Sequence, residues 1–92
     1  MVKALRPEQL LIIADHFCAQ HGVELLSFSD LAAAAAVPGA RFDTVALYSS
    51  SLSASDALAT YLRRLQPLSA LNDEFAVVAA EVYRRWCTHD PT

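Results

Sequence analysis

Apolar residues recur at three- and four-residue intervals along most of this chain, the spacing of helix faces. Leu10, Ile13, Ala14, Phe17, Cys18 and His21 form the first stripe. Leu11 and Ile12 lie off it, so the first helix is expected to pack on two sides. It should begin at Pro7, whose fixed φ suits the first helical position, and carry Glu8 in its positive first turn. Gly22 should end it. A short helix is expected over Leu31–Val37, with N-caps offered by Ser27-Phe28-Ser29-Asp30 and a capping-box role for Asp30. Its run Ala32 to Ala36 reads as a packing surface, and Pro38-Gly39 breaks the helix.

Ala40 to Asp56 is rich in Ser and is expected to be the main connecting loop. A third helix, capped by Ser53 or Ser55, would bury Leu58, Tyr61, Leu62 and Leu65, and Pro67 would help end it. The last helix would use Asn72 as N-cap and bury Phe75, Val78, Ala79, Val82 and Trp86, with Val77 and Tyr83 widening that face. No stretch alternates apolar with polar residues strongly enough to require a sheet, and no internal repeat appears. The pattern therefore predicts an all-α fold, a compact bundle of about four to five helices, in one domain spanning residues 1–92.

Composition adds a constraint on the surface. Of the 92 residues, 54% are hydrophobic, more than so small a domain can place inside, so self-association or a protein partner is expected. The net charge of -3 opposes nucleic-acid binding, which favours a basic face. Arg63-Arg64 and Arg84-Arg85 read as cations in the last turns of helices, with phosphate binding as the alternative. The apolar run Leu10 to Ala14 is closed by Asp15 and His16, too short for a signal-peptide core or a membrane span, so a cytoplasmic protein with no membrane contact is expected. Cys18 and Cys87, lacking a Cys-x-x-Cys spacing, read as reduced and buried.

Candidate chemistry is sparse. His16, His21 and His89 do not fall at the three- or four-residue spacing of helical ligand pairs, so no metal is expected. No nucleophile-elbow signature accompanies any Ser or Cys.

The segment Gln66-Pro67-Leu68-Ser69-Ala70-Leu71-Asn72-Asp73-Glu74, lying between two expected helices, resembles the signature loop of the Fic/Doc family, His-x-Phe-x-Asp/Asn-Gly/Ala-Asn-x-Arg. Gln66 stands at the position of the general-base His, Leu68 at that of Phe, and Ala70 at that of the metal-binding carboxylate. Leu71 replaces the small residue, Asp73 the usual Lys and Glu74 the phosphate-holding Arg; Asn72 matches. The resemblance extends to the order of a first helix over Leu5–Gly22, a short helix ending at Pro38, and the Leu47-Tyr48 pair before the loop-bearing helix. In such proteins a segment before that helix can order the target polypeptide, a role the resemblance would give to Ser49-Ser50-Ser51; the alternative is a plain connector.

The resemblance implies a helical domain with a degenerate motif. A Gln carboxamide does not titrate near neutral pH, and Asp73 and Glu74 would repel a triphosphate at the helix start. The expectation is a pseudoenzyme, with no cofactor and no nucleotide, acting through a protein partner or as a homodimer, in a toxin-antitoxin setting. The alternatives are an active phosphoryl or adenylyl transferase and an unrelated helical interaction module. Doc-type relatives continue into a further helix, and without it Tyr83 and Trp86 would be uncovered as the candidate interface.

Overall fold

A computed structural model describes residues 2–89, with the His89 side chain outside the described part. Among these residues are four helices, α1 (Pro7–His21), α2 (Phe28–Ala35), α3 (Ser51–Leu65) and α4 (Asn72–His89). A small antiparallel hairpin, β1 (Arg41–Phe42) and β2 (Val45–Ala46), sits between α2 and α3. The all-α expectation is met, and none of the helices is long and apolar enough to cross a membrane.

The ends of α1 follow from local chemistry. The Arg6 backbone N–H donates to Gln9 Oε1 at 2.8 Å. Gly22 closes the helix at φ 66°, a left-handed conformation in which a Cβ would cost energy. α2 starts earlier than expected because the Ser27 hydroxyl accepts from Asp30 N at 3.1 Å, making Ser27 the cap and placing Asp30 inside the helix.

α3 likewise begins before Ser53. Ser50 Oγ accepts from Ser53 N at 3.1 Å while Ser53 Oγ accepts from Ser50 N at 3.4 Å, a reciprocal serine capping box. The serine cluster is therefore a helix start, and the expected long loop shrinks to the hairpin and its flanks. That hairpin turns at Asp43 with φ 61°.

α3 and α4 form an antiparallel helical hairpin and share the most extensive interface in the fold. Small residues allow their close approach: Ala54, Ser55 and Ala59 on α3 are buried, as are Ala76, Ala79 and Ala80 on α4. Leu58, Leu62, Phe75 and Phe17 fill the remaining core, with the Phe17 and Phe75 ring centroids 5.4 Å apart.

This close packing rotates α4 relative to the sequence expectation. Ala76, Ala80, Tyr83 and Cys87 turn inward, whereas Val77, Val78 and Val82, expected on the buried face, are exposed. Tyr61 on α3 is also exposed, and Cys18 is half-buried rather than buried. Arg84 and Arg85 lie before the last turn of α4. Arg84 Nη1 donates to Ser55 Oγ at 3.2 Å, tying α4 to α3, and Arg85 pairs with Glu81 at 2.7 Å.

The segment before α1 crosses the far end of α4. Tyr83 Oη donates to the Lys3 carbonyl at 2.6 Å and accepts from Lys3 N at 3.1 Å. Lys3 Nζ stands 4.8 Å from the centre of the Trp86 ring, and Leu5 is buried beside it in the core cluster. Gly39 supports the same arm, since a Cβ there would lie 2.8 Å from Ala4 Cα.

Burial, reinforced by the side-chain contact with Cys87, pushes the Tyr83 phenol well above its ordinary value, although the bond with Lys3 pulls the other way. An unfolded tyrosine ionises near pH 10. The contribution of Tyr83 to stability should thus be complete below about pH 10 and decline above it, up to the folded-state value. Tyr83→Phe should lower unfolding free energy by roughly 1–2 kcal/mol at pH 7, because two backbone groups of Lys3 lose their partner. Its melting temperature should fall less than the parent's between about pH 9 and pH 11, as circular dichroism melts would record.

Candidate functional site

The segment from Gln66 to Glu74 spans the connection between α3 and α4 and the first turn of α4, where the sequence pattern places it. Its first residue is the C-cap of α3, left-handed at φ 51°, with Gln66 N donating to Leu62 O at 3.0 Å. Pro67 and Leu68 then turn into the core.

This inward turn is fixed by bonds to the connection between α1 and α2. Leu26 N and Ser27 N both donate to the Pro67 carbonyl, at 2.8 and 3.2 Å. Ser69 N donates to the Glu24 carbonyl at 2.8 Å, and Glu24 N donates to Ser69 Oγ at 2.9 Å. Leu25 and Leu68 thereby form an isolated antiparallel bridge.

Asn72 completes the loop. Its Oδ1 accepts from Leu68 N at 3.0 Å and its Nδ2 donates to Leu68 O at 3.0 Å, so one carboxamide satisfies both backbone groups of a buried residue. Asn72 was expected to cap α4. It is instead the first helical residue, its side chain turned back toward Leu68, and the Leu71 carbonyl accepts the first helical bond from Phe75 N at 2.9 Å.

Leu71 holds φ 61°, which is costly for a residue with a Cβ. The remaining motif residues surround a shallow depression of about 280 Å³ lined by Gln66, Ser69, Ala70, Leu71, Asn72, Asp73 and Glu74. The charged groups in this lining are both carboxylates. The amides of Leu68 and Ser69 are already engaged inside the fold. Proton abstraction is closed to Gln66, and phosphate would meet Asp73 and Glu74 at the start of α4.

The two candidate interface residues separate. Tyr83 is a core strut, 1% exposed and bonded to Lys3. Its hydroxyl is taken up by the Lys3 backbone of the arm before α1. Trp86 is half-buried, 6.2 Å from Tyr83 in an edge-on arrangement, and keeps an open flank.

That flank borders an apolar cleft between α1 and α4 of about 220 Å³, lined by Leu5, Gln9, Ile12, Ile13, Val82, Tyr83 and Trp86. A second cleft of about 310 Å³ continues it, sharing Ile12, Ile13 and Val82 and adding Val78, Phe17 and His21. Ile12, Val78 and Val82 were missed as surface residues because a periodic stripe gives the width of an apolar face but not the direction from which its neighbour arrives. The off-stripe position of Ile12 was the available signal.

Among the described residues, no group of three or more His, Cys, Asp or Glu is placed to hold a metal ion. His16 is exposed, the His21 ring lies 4.3 Å from that of Phe17, and the His89 side chain lies outside the described residues. Protein-family models, curated proteins and solved structures offered no match to the chain.

Two substitutions test whether this loop is a structural turn. Asn72→Ala should destabilise the fold by about 2 kcal/mol, since it strips both partners from Leu68. Leu71→Gly should stabilise it by a few tenths to about 1 kcal/mol by relieving the left-handed strain at a partly exposed position. Urea unfolding of the two variants beside the parent gives both values.

Proposed function

We propose that this chain is a non-catalytic helical domain of the Fic/Doc type that acts by binding protein. The observation carrying this reading is the use of the loop between α3 and α4. Its inward amides are tied to Glu24 and Asn72, and its outward charges are Asp73 and Glu74. A Gln in place of a base and two carboxylates at the start of α4 support binding over phosphate transfer.

Two features support the family resemblance within this proposal. The loop directly precedes α4, which packs along α3, and the backbone is left-handed at Leu71, where the family pattern has a small residue. A backbone shape suited to Gly, occupied by Leu, fits a motif that has lost its chemistry.

Binding would then fall to the apolar α1/α4 cleft beside Trp86. A large aromatic ring with one open flank, next to exposed Ile12 and Val82, is suited to anchor a protein partner. The setting proposed with this function is cytoplasmic and toxin-antitoxin related, with no cofactor.

Isothermal titration with ATP and Mg²⁺ should give no saturable heat up to millimolar nucleotide. Saturable binding, together with transfer of AMP or phosphate to a protein hydroxyl, would reverse the proposal in favour of an active transferase.

A further inference from the structure

The outward stripe of α4 has a charge order that suits a copy of itself. Glu74, Val78, Val82 and Arg85 recur at three- and four-residue steps, and all four are exposed. Along the helix the order is acidic, apolar, apolar, basic. Glu74 precedes Val78 by one helical turn and Arg85 follows Val82 by nearly the same interval, so the stripe is symmetric in position and opposite in charge about its middle.

We propose that this face pairs with a second copy of the chain, the two α4 helices antiparallel about a two-fold axis between Val78 and Val82. This names the partner for the binding role proposed above and rests on that reading. In this arrangement Val78 meets Val82 of the second copy, and Glu74 meets Arg85 of the second copy, twice by symmetry. A parallel arrangement would set Glu74 beside Glu74 and Arg85 beside Arg85, which disfavours it.

The neighbouring surface extends the same contact. Ile12 on α1 is 59% exposed and borders both clefts with Val82, adding apolar area beside the stripe. Arg85 already bonds Glu81 on its own helix, but both side chains are exposed and a guanidinium has donors enough for a second carboxylate. Glu81 at the edge of the stripe is thereby neutralised.

The test is sedimentation equilibrium on the full chain at concentrations up to the order of 100 μM, where an association in the micromolar range is nearly complete. A dimer is expected. Val82→Glu should shift it to monomer while circular dichroism remains unchanged. Glu74→Arg and Arg85→Glu should each raise the dimer dissociation constant about tenfold, and the two together should restore it, because reversal of both charges re-creates the pairing. A parent chain that is monomeric throughout overturns the inference, as does a dimer indifferent to Val82→Glu or a double reversal without rescue. Nucleotide titration is read separately: a monomer that ignores ATP removes the second copy and leaves the non-catalytic reading, whereas a dimer that binds ATP removes the latter.

Discussion

The two halves of this fold are held in register where their connections meet, at the bridge between Leu25 and Leu68. Glu24 to Ser27 link α1 to α2, and Pro67 to Ser69 belong to the turn between α3 and α4. Backbone bonds across this seam align the first helix pair with the second, while Asn72 satisfies the Leu68 amide and carbonyl from within the turn. Leu68 thus enters the core without leaving its polar backbone unpaired, which would cost about 1–3 kcal/mol per group. α4 begins from this fixed point, and its packing on α3 sets which side chains remain outside.

The same economy limits what the loop offers a ligand. An amide that bonds the fold is not free to bond a phosphate, and the Leu68 and Ser69 amides are both committed. At the other end of α4, the fold uses Tyr83 as a strut and leaves Trp86 with one face open. The polar turn is closed by its own hydrogen bonds, while the apolar cleft stays open.

Much of this was legible in the sequence, and what was not has a common cause. The bounds of α1 followed from Pro7 and Gly22, whose backbone preferences act locally. The position of the 66–74 turn was also legible, because Pro67 and the helix stripes on either side mark it. The start of α3 after its Ser50 cap is not marked by the pattern, because serine both disfavours helix interiors and begins helices. The facing of α4 could not be read from periodicity. Val78 and Val82 are more hydrophobic than Ala76 and Ala80, yet the alanines are buried because small side chains permit the α3 contact. The pattern leaves Tyr83 open between core and interface for the related reason that its partner, the Lys3 backbone, leaves no trace in a hydrophobicity pattern.

The arm at Lys3 to Leu5 also gives the domain a temporal order. Its anchors are Gly39 and Tyr83, and the latter is among the last residues of the described fold to be synthesised. The arm precedes its clasp in the chain, so this strap closes only after Tyr83 has been made. Until the distal tyrosine emerges, Leu5 and the α1 surface beside it lack the shelter that the closed strap gives them.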